Sequence, residues 1–179
     1  NETGFELWTT DGTTEGTQML GDFNLGTKDG VFAGGGSSKD RFLVFNNKLY
    51  FTGIENQQFT LWATDGTKAG TAKVENMTST HYFPQDLTVF KNELYFSTSF
   101  NGVFKISKNT EEVVKVMDID VPYSLLATNE LLFAISGTEI SVTSGTLASS
   151  KLVAKINSPS VNWNGNRMVE LNKKVYFPN

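Results

Sequence analysis

Short apolar runs alternate with polar positions along the whole chain, and Asn, Gly, Asp and Thr clusters break them at close intervals. The alternation has a period of two. No stretch sustains a 3.6-residue apolar stripe over three turns, so strands are predicted throughout and helices nowhere. One pattern stands out: an apolar pair, a polar turn, then a Leu-Tyr-Phe type triplet. It reads Val44-Phe45-Asn46-Asn47-Lys48-Leu49, Val89-Phe90-Lys91-Asn92-Glu93-Leu94, Leu126-Ala127-Thr128-Asn129-Glu130-Leu131 and Glu170-Leu171-Asn172-Lys173-Lys174-Val175. Asn tolerates the positive φ of tight hairpin turns, so each copy is predicted to be a β-hairpin.

Two periodic elements interleave. Leu49-Tyr50-Phe51, Leu94-Tyr95-Phe96, Leu131-Leu132-Phe133 and Val175-Tyr176-Phe177 recur at spacings of 45, 37 and 44. Leu7-Trp8-Thr9-Thr10-Asp11-Gly12-Thr13-Thr14-Glu15-Gly16-Thr17 returns at an offset of 54 as Leu61 to Thr71, with eight of eleven positions identical. Asp-Gly between β-rich runs is a strong hairpin signal, so this element predicts a further hairpin. The clearest unit therefore holds four strands, at residues 41–45, 48–52, 59–64 and 71–75. In later units Asn109-Thr110 and Ser144-Gly145-Thr146 stand where Asp65-Gly66-Thr67 stood.

Four-stranded antiparallel units of roughly 40–45 residues point to β-propeller blades. A β-sandwich or an open stack of sheets would not account for the period. The units divide the chain into a half blade at 1–20, a long loop at 21–40, blades near 41–77, 84–118 and 122–157, and a half blade at 163–179. Three full blades and two halves give sixteen strands. The halves either close a four-bladed ring or belong to a larger array. The start at Asn1, without an initiator Met, points to a processed or excised segment of something longer.

The segment Phe5 to Thr17 closely resembles the ELWxxDGTxxGT repeat family, tandem propeller-like repeats in large secreted bacterial proteins, many from Bacteroidota. Leu61 to Thr71 matches again, as does the hairpin Leu87 to Phe96, whereas beyond Asn101 only the spacing carries the likeness. The resemblance implies an exported or cell-surface protein, a cargo of type IX secretion with the secretion machinery among its partners. It implies no catalytic residues.

Composition narrows the chemistry. The net charge is −4, only 19% of residues are charged and 12% are aromatic, which argues against disorder and gives no dense basic stripe for nucleic acid. No run of 18 apolar residues suits a membrane span. There is no cysteine and a single histidine, His81, so thiolate chemistry and the common zinc sites are excluded.

Asp11, Gly12 and Thr13, with Asp65, Gly66 and Thr67, are read as structural Asx turns with Gly at positive φ. Each loop supplies one Asp, and Glu15 of the first copy is Ala69 in the second, which is too few oxygens for calcium, so no metal site is assigned. Trp8 and Trp62 are expected to pack between blades. Gly34 to Lys39 has the wrong order for a phosphate loop and is expected to be part of a surface loop. Aromatics on the connections between blades, namely Phe32, His81, Tyr82, Phe83, Tyr123 and Trp163, form the best candidate binding face for a protein or a glycan, with the alternative that each fills a gap between blades. Asp86, Asp118 and Asp120 are the carboxylates that could gather at a channel mouth. Sequence does not place these carboxylates within the few ångströms that a catalytic pair needs, and His81 stands alone with no nucleophile motif nearby. The expectation is a non-catalytic surface module without a cofactor. The alternatives are a carbohydrate-active propeller enzyme and a structural spacer in a long surface protein.

Overall fold

The computed structural model describes residues 2–32, 42–77, 83–108, 111–156 and 168–177. The strands are β1 (Trp8–Thr9), β2 (Gln18–Met19), β3 (Phe42–Phe45), β4 (Lys48–Glu55), β5 (Gln58–Thr64), β6 (Ala72–Lys73), β7 (Gln85–Phe90), β8 (Glu93–Thr98), β9 (Gly102–Ile106), β10 (Val113–Met117), β11 (Ser124–Ala127), β12 (Leu132–Ile135), β13 (Glu139–Thr143), β14 (Lys151–Lys155), β15 (Val169–Leu171) and β16 (Lys174–Tyr176). The described residues contain no α-helix, only one 3-10 turn at Leu147–Ser149. The fold is all-β.

The strands form three four-stranded antiparallel meanders, β3 to β6, β7 to β10 and β11 to β14. Two-stranded ribbons stand before and after them, β1–β2 at the head and β15–β16 at the tail. Each meander keeps chain order, because short turns can join antiparallel neighbours only.

Three of the four expected hairpins have the two-residue turn that their sequence predicts. Asn46 and Asn47 sit at φ 49° and 57°, Lys91 and Asn92 at 48° and 60°, Asn172 and Lys173 at 51° and 61°. Pairing of Phe45 with Lys48, Phe90 with Glu93 and Leu171 with Lys174 closes them. The third copy differs. Ala127 pairs with Leu132 across a four-residue loop, and the Thr128 amide donates to the Leu131 carbonyl at 2.9 Å. The Thr128 hydroxyl donates to the same carbonyl, so a side chain takes over part of the turn that backbone geometry closes elsewhere.

The sheets stack in chain order, and a separate core fills each junction. Leu7, Leu20, Phe23, Val31, Phe42, Phe51 and Trp62 join the head ribbon to β3–β6. Leu61, Leu94, Phe96 and Phe104 lead the next core, between β3–β6 and β7–β10. Phe90, Tyr95, Val116, Met117 and Leu132 fill the junction with β11–β14. Ile135, Ile140, Met168, Val175 and Phe177 carry the last, at the tail ribbon. A residue just past the last strand of each of the first four sheets plugs the following junction: Phe23, Met77, Ile119 and Ile156 in turn. Burying one such side chain stabilises the fold by about 1.5–3 kcal/mol. The leading strands also lie side by side, β3 next to β7 and β7 next to β11.

The connection after β2 departs from the expected surface loop over its described part. Phe23, Asn24, Gly30 and Val31 are buried. Val31 bridges Gly53, the Phe32 amide donates to Thr52 at 3.1 Å, and the Ile54 amide donates to Gly30 at 2.7 Å. This strap therefore continues the sheet edge where the shorter β3 has stopped. Residues 33–41, which include the Gly34 to Lys39 stretch, lie outside the described residues.

Candidate functional site

Phe32 arrives on the strap, Phe59 on β5 just past the β4–β5 hairpin, and Phe83 on the connection into β7. Their rings meet edge to face, with centroids 5.3 Å apart for Phe32–Phe59, 4.8 Å for Phe32–Phe83 and 4.7 Å for Phe59–Phe83. All three are half-buried. Such pairs favour tilted geometry because a ring edge is electropositive and its face electronegative. Phe83 holds this place at φ 57°, a left-handed conformation that costs a non-glycine residue about 1–3 kcal/mol. Beside it the Thr52 hydroxyl donates to the Pro84 carbonyl at 2.6 Å and fixes the connection to β4.

Of the aromatics expected on a binding face, the structure brings Phe32 and Phe83 together. Tyr123 occupies a different junction, half-buried against the core of Ile135, Ile140 and Met168. His81, Tyr82 and Trp163 lie outside the described residues. Phe59 was not singled out from sequence, although it is the repeat counterpart of Phe5. Extending the Leu-Trp repeat two residues towards the N-terminus identifies it.

The two Asp-Gly-Thr turns are near copies of each other. Asp65 Oδ1 accepts from the Thr67 amide at 2.9 Å and from its hydroxyl at 2.7 Å, and Asp11 accepts from Thr13 at the same distances. The Thr67 and Thr13 hydroxyls accept from the amides of Gly70 and Gly16 at 2.9 Å. The Thr71 and Thr17 hydroxyls donate to the carbonyls of Thr67 and Thr13 at 2.6 Å. Gly66 and Gly12 sit at φ 93°. A Cβ at Gly70 or Gly16 would collide with the carboxylate of Asp65 or Asp11. The hydrogen bonds, first those from the threonine hydroxyls, hold both carboxyls below the usual aspartate range. Asp, Gly, Thr, Gly and Thr each have a local mechanical task in this turn. The turn is an eight-residue loop, since Ala63 pairs with Ala72, and not a two-residue hairpin.

At Thr143 to Ser150 the same turn is rebuilt with other atoms. Ser144 replaces the aspartate, Gly145 keeps φ 117°, and Ser149 stands where Gly70 stood. Ser149 Oγ lies 3.3 Å from the Thr146 amide, 3.1 Å from its hydroxyl and 3.1 Å from the Ser144 amide. Shrinking the aspartate to serine vacates the space that the glycine needed, and the new serine hydroxyl supplies the lost acceptor. Asn109 and Thr110, in the other decayed copy, lie outside the described residues.

Carboxylates elsewhere are spread out. Asp86, at φ 51° where the β7 register shifts, accepts from the Ser97 hydroxyl at 2.8 Å. Asp118 pairs with Lys115, and Asp120 is exposed. Near the strap, Glu6 accepts from the Phe23 amide at 3.2 Å, and burial, then Asp22 and Asp29, push its carboxyl above the usual glutamate value. Among the described residues no group of three or more metal-ligating side chains could hold an ion. A cavity of about 250 Å³ opens between β3–β6 and β7–β10, with Lys48, Tyr50, Glu75, Lys108 and Glu111 on its walls. Burial and then Glu111 push the Tyr50 phenol up, so it enters neutral chemistry only as a hydrogen-bonding hydroxyl. Among the described residues no helix is long and apolar enough to cross a membrane.

No protein-family model matches the chain, and no curated protein matches it.

Proposed function

We propose that this chain is a β-propeller, or a run of propeller blades, of the ELWxxDGTxxGT repeat type, and that it serves an exported bacterial protein as a non-catalytic interaction module. Stacking of successive meanders with their leading strands side by side supports the propeller. The Asp-Gly-Thr turns support the repeat type, since each motif position has a local structural task. Secretion to the cell surface rests on the resemblance alone.

The observation that carries a binding role is the meeting of Phe32, Phe59 and Phe83. They come from three separate segments and gather at the sheet end where a connection enters the next sheet. Aromatic edges backed by hydroxyls suit a sugar face or an apolar peptide side chain. A specific observation favours the competing reading of a structural spacer: Tyr123, expected on the same face, is packed into a junction core.

Screening the chain against immobilised glycans and peptides separates the two. The interaction module predicts a retained ligand whose binding falls in Phe32→Ala and Phe59→Ala while circular dichroism stays unchanged. Loss of stability with no ligand retained, or binding indifferent to both substitutions, would leave the spacer.

A further inference from the structure

The two inner junctions are built from the same repeat, yet they close differently at the end where the hairpin turns lie. Between β7–β10 and β11–β14 the space is filled. Tyr95 is buried, and its hydroxyl donates to the Glu93 carboxylate at 3.3 Å. The Lys105 ammonium donates to the same carboxylate at 2.7 Å. Lys91 reaches across to the Ser144 carbonyl at 3.0 Å. The facing turn comes so near that a Cβ on Gly145 would sit 3.0 Å from the Tyr95 hydroxyl oxygen.

Between β3–β6 and β7–β10 the framework is the same and three side chains differ. Tyr50 stands at the place of Tyr95, but Lys48 replaces Glu93 and Asn46 replaces Lys91. Ala63 pairs with Tyr50 as Lys105 pairs with Tyr95, so an alanine stands where the next sheet has its lysine. The facing turn is shorter as well: residues 107–112 join Ile106 to Val113, whereas residues 143–150 join Val142 to Lys151. What these changes leave is the cavity of about 250 Å³, with Phe45, Ala63, Leu94 and Ile106 as its apolar side. Among the described residues Lys48 forms no ion pair. Tyr50 is half-buried, and burial, then Glu111, keeps its phenol protonated, so the hydroxyl remains a donor.

We infer that this cavity is a binding site for one acidic sugar ring, a uronate whose carboxylate lies between Lys48 and the Tyr50 hydroxyl. The ion pair of the neighbouring junction is thereby rebuilt with inverted polarity. The chain supplies the lysine, and the ligand supplies the carboxylate in the volume that the Lys105 side chain occupies next door. The C–H face of the ring lies on Phe45, Leu94 and Ile106. Its hydroxyls donate to Glu75 and Glu111 on the facing walls, to which a plain carboxylic acid offers nothing. The volume falls below the roughly 300–1,000 Å³ of pockets for larger ligands, which limits the occupant to about one ring. Both walls belong to four-stranded sheets inside the chain, so the inference depends neither on the number of sheets nor on the propeller reading. The site lies at the other end of β4 from the hairpin that carries Phe59, apart from the aromatic cluster.

Calorimetric titration with glucuronate, glucose and leucine tests the site. Glucuronate should bind about tenfold more tightly than glucose, which has the same ring without the carboxylate, and the difference should shrink at high salt. Lys48→Glu with Ala63→Lys copies the pair of Glu93 and Lys105 and closes the cavity. That double variant should lose glucuronate binding while its thermal midpoint stays at or above that of the parent chain. Tyr50→Phe, which removes one hydroxyl and keeps the ring, should weaken glucuronate severalfold and serves if the double variant does not fold. Phe32→Ala, at the aromatic cluster, should leave glucuronate binding unchanged, and a loss there would move the sugar to that cluster and overturn the site. Glucuronate binding no tighter than glucose, or binding unchanged in a folded double variant or in Tyr50→Phe, would also overturn it. Leucine binding more tightly than glucuronate would assign the cavity to a zwitterion, its ammonium on the glutamates, and would overturn the acidic sugar.

Discussion

The head ribbon and the sheet β3–β6 carry nearly the same eleven-residue motif, yet they differ in what becomes of it. Trp62 is 8% exposed and Leu61 wholly buried, whereas Trp8 is 59% exposed and Leu7 only half-buried. The Asp-Gly-Thr turns that follow them have matching hydrogen bonds. Local sequence therefore sets the turn, and the neighbouring strands set the burial. Trp62 lies over Gly53, where a Cβ would strike its ring, and beside Phe51 with centroids 6.4 Å apart. Among the described residues no counterpart of the β3–β4 ribbon lies against Trp8. A repeat of this kind is a half-made interface, and its apolar face acquires a core only from the next unit.

The largest expected effect tests that contrast directly. Trp62→Ala should cost about 3–5 kcal/mol in denaturant unfolding, as large-to-small changes of buried aromatics do. Trp8→Ala should cost under about 1 kcal/mol in the single chain, since its ring is mostly in water. Equal losses would break the claim that neighbours decide burial.

Next comes the turn, where the two regions should agree. Gly70→Ser and Gly16→Ser each force a Cβ onto an aspartate carboxylate and should cost about 1–3 kcal/mol. Adding Asp65→Ser to Gly70→Ser should restore most of the loss, because that pair copies the turn at Ser144 and Ser149. Failure of the double variant to recover, measured by thermal unfolding, would mean that the two turns are not interchangeable solutions.

A smaller effect separates the hairpins. Asn47→Ala places alanine at φ 57° and should cost about 1 kcal/mol, whereas Asn129→Ala, in the four-residue loop without positive φ, should be near neutral. The same denaturant series reads both.

The smallest is electrostatic. Folding depresses the carboxyl pKa of Asp11 and Asp65, so their contribution to stability is complete above the unfolded aspartate value and is lost as pH falls through the depressed one. Glu6 runs the other way. Its raised carboxyl pKa makes the folded state relatively more favourable as pH falls through that value. Carboxyl NMR titration should place both aspartates below, and Glu6 above, their ordinary values, and a common midpoint would contradict the hydrogen-bond assignment.

Much of this fold was legible because the repeat is local. Strand positions, the Asn46-Asn47 turn and the Asx character of Asp65 follow from residues a few positions apart. What was not legible depends on distant partners. Nothing near Trp8 distinguishes it from Trp62. The strap at Gly30 to Phe32 looks like a Gly-rich loop until Val31 meets Gly53. Phe83 and Tyr123 stand at equivalent connections, yet one joins an aromatic cluster and the other a core, because Phe32 and Phe59 exist at only one of those junctions. The exchange of Asp65 and Gly70 for Ser144 and Ser149 is visible in an alignment of the repeats, but its reason is a steric one that only coordinates supply.

The most direct test of the central claim uses single-tryptophan chains, Trp62 alone or Trp8 alone, with the other tryptophans replaced by Phe. Acrylamide quenching is measured at dilutions where light scattering gives the mass of one chain. The account predicts a shielded Trp62 with blue-shifted emission and a strongly quenched Trp8 with solvent-like emission. Equal shielding of the two in the single chain would show that the motif itself, and not the neighbouring sheet, decides what is buried.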